Sequence, residues 1–184
     1  MFAAIPLAPD IRETLGGIIE KVSSPPSGVK WVERDHLHIT LAFLGNQDEI
    51  SLAGFFEALQ VCAGATRVFR LGLGGTGAFP NLMNPKVLFV PVKEGKAEVE
   101  GLAGRVVKAL GEAGVVFDDK KFHAHVTLGR VKAAGNIRQV VEKLRGSCPE
   151  ELGVMEAAGL TLFKSRLTPE GPVYEPLKQF LFQP

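Results

Sequence analysis

Apolar and polar positions follow two periods along the chain, and the switches between them mark out its elements. Phe2 to Leu7 is a short, nearly all-apolar run that reads as a strand. Ile11, Leu15, Ile18, Ile19 and Val22 then recur at helical spacing behind Pro9 and Asp10. Ser23 to Gly28 is a loop, and Val29 to Glu33 is extended. A strand then runs to Leu44 and stops at Gly45-Asn46. Asp48 is placed to cap a helix carrying Ile50, Leu52, Phe55, Phe56 and Leu59. Arg67–Leu73 and Lys86–Val92 read as strands, and Lys96–Ala113 as the longest helix, with Val99, Leu102, Val106, Val107 and Leu110 on its buried stripe and Gly114 at its end. A strand from Phe122 to Arg130 or Val131 follows, then a helix capped by Asn136 and running through Leu144. Strands over Met155–Phe163 and Lys178–Phe182, on either side of a turn at 168–172, close the chain.

Strands and helices do not alternate strictly, so the pattern argues for an α+β fold with largely antiparallel sheets and flanking helices, not a doubly wound parallel sheet. The length of 184 residues suits one ordinary domain, residues 1–184, or two small lobes that share a core.

One polar pattern recurs. Residues 36–41 read His-Leu-His-Ile-Thr-Leu, and residues 123–128 read His-Ala-His-Val-Thr-Leu, an offset of 125 − 38 = 87. All four histidines of the chain lie in these two copies. On a strand, side chains alternate between faces. His36, His38 and Thr40 then share one face while Leu37, Ile39 and Leu41 share the other; His123, His125 and Thr127 oppose Ala124, Val126 and Leu128 in the same way. Two such strands facing each other make a cleft lined by imidazoles and hydroxyls.

Composition narrows the functional classes. Hydrophobic residues at 46% and charged residues at 22% describe a globular chain. A formal net charge of +1 argues against a strongly electrostatic grip on long nucleic acid, duplex DNA included. Cys62 and Cys148 lack metal-like spacing and read as idle thiols in a reducing compartment. The first ten residues have no basic leader, and no apolar run is long enough to cross a membrane, so a cytoplasmic monomer is expected. Gly72 to Gly77 is glycine-rich, but no Gly-Lys-Ser/Thr follows, and it reads as a bend between strands, not a phosphate loop.

The paired motif admits several chemistries. Purely structural histidines leave the repetition unexplained. A metal site is open, since His-x-His on a strand puts two imidazoles on one face and Asp35, Asp118 and Asp119 are near in sequence; it gives the matched threonines no task. Acid–base catalysis on a phosphate ester uses both. One imidazole takes a proton from the nucleophile, the other gives one to the leaving oxygen on the opposite side of phosphorus, and the threonines donate to its free oxygens. A fourth reading is a module that binds a nucleotide without turning it over.

The segments Trp31–Gly45, Phe122–Arg130, Leu162–Leu167 and Gly171–Tyr174, with Phe2–Ile5, resemble the two-histidine phosphoesterases, in particular the bacterial and archaeal RNA 2′,3′-cyclic phosphodiesterases first known as 2′-5′ RNA ligases. The resemblance implies a bilobal fold of two pseudo-symmetric lobes with a cleft between them. It implies metal-independent opening of an RNA-terminal 2′,3′-cyclic phosphate to a 2′-phosphate, with no cofactor. It makes His38 the donor to the leaving 3′ oxygen, His125 the base that activates water, and Thr40 and Thr127 the phosphate holders. Ala124 stands where the family usually has proline. Ligation is the same chemistry reversed, with an RNA hydroxyl in place of water.

Three expectations concern the surroundings. Strict alternation puts Arg130 on the face of Leu128, away from His125, unless Gly129 introduces a bulge. With the bulge, Arg130 lies by the cleft and adds positive potential for the phosphate; without it, Arg130 is an exposed strand-end residue. Phe43, Phe79 and Tyr174 are candidate platforms on which any base stacks, so the expected partners are RNA ends or small cyclic nucleotides of any base. His36 and His123 fall outside the core motif and are expected on a wet face or behind the reacting groups.

Overall fold

The computed structural model describes residues 1–184 except 24–27, 49, 118–120, 133–134 and 170. Most of the expected loop at 23–28, together with Asp118 and Asp119, lies outside the described residues. In chain order the elements are β1 (Phe2–Pro6), α1 (Pro9–Val22), β2 (Val29–Trp31), a 3₁₀ turn (Arg34–His36), β3 (His38–Phe43), α2 (Leu52–Gly64), β4 (Phe69–Leu73), β5 (Gly77–Phe79), β6 (Val87–Pro91), α3 (Lys96–Glu112), β7 (His125–Val131), α4 (Ile137–Ser147), β8 (Gly153–Ala157), β9 (Gly159–Leu167) and β10 (Pro172–Leu181). No described helix is long and apolar enough to cross a membrane.

Two four-stranded antiparallel sheets carry the fold, in the orders β10-β9-β1-β3 and β2-β7-β6-β5. Each contains the same three-strand unit, β9-β1-β3 in one lobe and β5-β6-β7 in the other, with a motif strand beside a short apolar strand. That central position explains the apolar run at the N-terminus. β1 is paired on both edges, and Phe2 to Ile5 are all buried. The motif strands show the expected alternation: Ile39 and Leu41, Val126 and Leu128 are buried, while His38, Thr40, His125 and Thr127 are half-buried on the other face. The α+β, two-lobed architecture is the one the sequence led us to expect.

Helices α2 and α3 pack together against the first sheet, α2 on β10 and α3 on β3, while α1 packs on α4. Each helix pair therefore joins the two halves of the chain. Leu15, Phe55, Leu59, Leu102, Leu110 and Leu144, all fully buried, belong to one continuous core. Burying a side chain of this size contributes roughly 1.5–3 kcal/mol each, which ties the lobes into one packed body. Cys62 and Cys148 are buried free thiols.

Several boundaries differ from the sequence reading. The run Met155–Phe163 is two strands, not one: β8 pairs with β4 and β9 with β1 and β10. The chain changes sheets at Ala158-Gly159, where β10 crosses so closely that a Cβ on Gly159 would lie 2.6 Å from the Phe180 carbonyl oxygen. Helix α2 starts at Leu52, and Asp48 instead accepts from the Ser51 backbone amide (2.9 Å) and hydroxyl (2.7 Å) one turn earlier. Gly75 makes the bend between β4 and β5. The Asn136 cap on α4 is present, its side chain accepting from the Gln139 amide at 3.4 Å.

Candidate active site

His38 and His125 are the first residues of β3 and β7. Neither His36 nor His123 is on a strand. His36 closes the 3₁₀ turn and His123 lies in the extended segment before β7, which corrects the expectation that all three polar motif positions share a strand face. Both nonetheless have a task that side-chain periodicity hides. The carbonyl of His36 accepts from Nδ1 of His38 at 2.7 Å, and the carbonyl of His123 accepts from Nδ1 of His125 at 2.6 Å.

A carbonyl only accepts, so in both rings Nδ1 carries the proton and the neutral imidazole keeps its lone pair on Nε2. Sequence reasoning missed this use of positions 36 and 123. The signal was available as the constant two-residue spacing, because a main-chain carbonyl two residues back does not depend on the side chain there. Nε2 of His38 lies 2.9 Å from the Thr40 hydroxyl. Thr127 holds the equivalent place in β7, half-buried on the face of His125.

Each imidazole is wedged among aromatic rings. His38 stacks on Phe2 at 4.8 Å and meets the edge of Tyr174 at 5.7 Å, with Phe163 behind. His125 meets Phe79 at 5.1 Å and Phe89 at 4.9 Å. This burial disfavours the imidazolium and pushes both histidines below their ordinary pKa. The Nδ1 bonds to the carbonyls work the other way, because they favour the charged ring. Smaller repulsions add to the depression: His38 feels His36 and His125, and His125 feels His123 and Arg130. The two rings are thus within electrostatic reach of each other, although 87 residues separate them in sequence.

Arg130 is placed by a bulge. In the β6–β7 ladder Phe89 pairs with Thr127 but Leu88 pairs with Gly129, so Leu128 is the extra residue. Leu128 and Gly129 are both buried, and Arg130 emerges exposed on the side of His125 and Thr127. Its charge reaches both His125 and Tyr174. Gly129 is needed there because a Cβ would lie 2.6 Å from Val29 and 3.0 Å from Trp31.

Among the candidate stacking rings, Phe79 is packed between Phe89, His123 and His125, and Tyr174 between Phe2 and His36. Phe43 is 63% exposed at the end of β3 away from His38, its ring centroid 6.1 Å from that of Phe2. Among the described residues, no three histidine, cysteine or carboxylate side chains converge as a metal site would need.

Known proteins resemble this chain in sequence and in fold. The chain is 39% identical to an RNA 2′,3′-cyclic phosphodiesterase of Archaeoglobus fulgidus over 98% of each protein. A crystal structure of a Thermus thermophilus protein superposes with a TM-score of 0.83 at 30% identity, covering 99% of this chain and 97% of the other. Escherichia coli LigT complexed with 3′-AMP gives 0.76 at 26% identity over 98% and 96% of the two chains. The profile of the 2′-5′ RNA ligase superfamily matches residues 10–166, and the chain belongs to that family.

Proposed function

We propose that this protein is an enzyme that hydrolyses the 2′,3′-cyclic phosphate at an RNA end to a 2′-phosphomonoester, working as a cytoplasmic monomer in which residues 1–184 form one two-lobed domain. The observation that carries this reading is the matched pair of imidazoles. Each is fixed by a main-chain carbonyl at Nδ1 and so offers Nε2 for proton transfer, and the two are close enough to sense each other's charge.

In the reaction, Nε2 of neutral His125 takes a proton from water as its oxygen attacks phosphorus. The bond from phosphorus to the 3′ oxygen breaks in line with that attack. Nε2–H of protonated His38 gives its proton to the departing oxygen, so the ring pair exchanges protonation states and the product carries a 2′-phosphate and a free 3′ hydroxyl. Thr40, Thr127 and Arg130 hold the non-bridging oxygens, where the extra negative charge develops. The low polarity around the rings strengthens each of these contacts. Arg130 sits on the His125 side, so the phosphate is drawn toward the base.

The direct test is incubation with each of the four 2′,3′-cyclic nucleoside monophosphates in excess EDTA, with products resolved as 2′- or 3′-monophosphates. The reading expects 2′-phosphate from all four. A 3′-phosphate product, or turnover that chelator abolishes and zinc restores, would overturn it.

A further inference from the structure

A basic track leads away from the histidine pair along the face of the second sheet. In the β2–β7 ladder Lys30 stands directly opposite Arg130. Directly paired residues of an antiparallel ladder project to the same side. Val29 and Trp31 cover Gly129 on the apolar side, so Lys30 is on the cleft side with Arg130. The ladder continues past the last residue of β7, with the Lys132 amide donating to the Gly28 carbonyl at 2.8 Å, and alternation brings Lys132 back to the face of Arg130. All three side chains are exposed.

Like charges placed directly opposite each other on a sheet destabilise it. No ion pair relieves Lys30 or Arg130 among the described residues. Glu33 pairs with His36 at 3.6 Å and makes no ion pair with Lys30, although a Cβ on Gly171 would lie about as close to its Oε1 (3.9 Å) as to the Lys30 Nζ (4.0 Å). Three cations on one face of a chain with a net charge of only +1 point to an anionic ligand. The distances say which part of it. Arg130 is three residues along β7 from Thr127, roughly 10 Å at the usual strand rise, and Lys132 roughly 16 Å. The long Arg130 side chain can reach back to the terminal phosphate; Lys132 stands two residues further out, and Lys30, opposite Arg130 on the edge strand, is displaced sideways by one strand spacing of roughly 5 Å.

Resting on the activity proposed above, we propose that Lys30 and Lys132 form a subsite for the phosphodiesters upstream of the cyclic end, so that the preferred substrate is an RNA strand of several nucleotides over a cyclic mononucleotide. The contacts are to backbone phosphate and add no base preference.

The test compares kcat/KM for a cyclic mononucleotide and for a tetranucleotide with the same terminal base and cyclic phosphate, in wild type, Lys30→Gln and Lys132→Gln, across salt concentrations. The expected result is an oligonucleotide preference of about tenfold or more at low salt that falls as salt rises. Each variant should shrink the ratio of the two rates several-fold and lower the salt slope for the tetranucleotide by nearly one. A ratio near one in wild type, or variants that leave the ratio unchanged, overturns the subsite while the hydrolytic reading stands. Turnover of neither substrate overturns the hydrolytic reading instead. The subsite is then still read by binding, as fluorescence anisotropy of a labelled tetranucleotide 2′-phosphate competed by the 2′-mononucleotide; equal affinities in wild type and variants overturn it.

Discussion

Phe43 and Arg130 occupy equivalent positions in the two lobes, each five residues after its motif histidine and 130 − 43 = 87 residues apart. The backbone before them is equivalent too. Leu41 is the extra residue in the β1–β3 ladder just as Leu128 is in β6–β7, and in both cases two consecutive residues are buried before the chain re-emerges at the cleft. A symmetric frame thus presents different chemistry on its two sides, an exposed aromatic ring on the strand of His38 and a guanidinium on the strand of His125. That difference gives an otherwise two-fold site a direction.

Replacing Arg130 by alanine is expected to lower kcat/KM by about 10- to 100-fold, the size of a charge-assisted hydrogen bond of roughly 1.5–3 kcal/mol. It also removes a cation that disfavours the His125 imidazolium. The His125 pKa then rises toward its ordinary value, and the acidic limb of the kcat/KM profile moves to higher pH. Lysine at 130 should keep the limb in place and recover part of the rate. An unshifted limb in Arg130→Ala would show that the guanidinium does not act on His125.

Phe43→Ala is expected to raise KM through loss of base stacking, about 1–3 kcal/mol, by similar factors for all four cyclic nucleotides. Steady-state kinetics on the four substrates check this. A loss confined to one base would show that edge contacts, not the ring face, hold the nucleobase.

The site was legible in the sequence to the extent that it is local and periodic. His38, Thr40, His125 and Thr127 needed only alternation along two short strands. Arg130 depended on a bulge, which falls at Leu128, and the glycine after it is required by a non-local approach: Val29 and Trp31, distant in sequence, leave no room for a Cβ at 129. The split of 155–163 between β8 and β9 has the same origin, in the approach of β10 at Gly159. Strand order, and the exchange that pairs α1 with α4 and α2 with α3, depend on long-range packing that no periodicity records. The carbonyls of His36 and His123 leave no mark in the side-chain pattern, because a main-chain acceptor is present whatever residue stands there.

His36→Ala and His123→Ala are expected to cost less than about tenfold, well under the usual 10²–10⁴ of an acid–base residue. Both variants keep the carbonyl that orients the reacting ring. Because His36 and His123 each repel the neighbouring imidazolium, their removal should shift the pH limbs slightly upward. Losses equal to those of His38→Ala would assign their side chains a direct part in the chemistry.

The pH profile follows from burial. His38 and His125 both lie below the ordinary histidine pKa, near 6.5, mainly through desolvation. The proposed reaction needs the free enzyme with His38 protonated and His125 neutral, a form that is most populated between the two pKa values. The kcat/KM optimum is therefore expected below pH 6.5, falling at lower pH as His125 gains a proton and at higher pH as His38 loses one. Bound phosphate stabilises the His38 imidazolium, so the alkaline limb of kcat should lie above that of kcat/KM. A kcat/KM optimum above neutrality would contradict the depression of both rings.

The proposed reaction requires His38 and His125 to act together as acid and base without a metal. Its most direct measurement is the rate of opening of a 2′,3′-cyclic phosphate in excess EDTA by wild type, His38→Ala, His125→Ala and the double variant. Full wild-type activity is expected, with a loss of about 10²–10⁴-fold in each single variant and a double-variant loss smaller than the product of the two because the rings act as a unit. Wild-type activity abolished by the chelator, or either single variant retaining near-normal turnover, would contradict it.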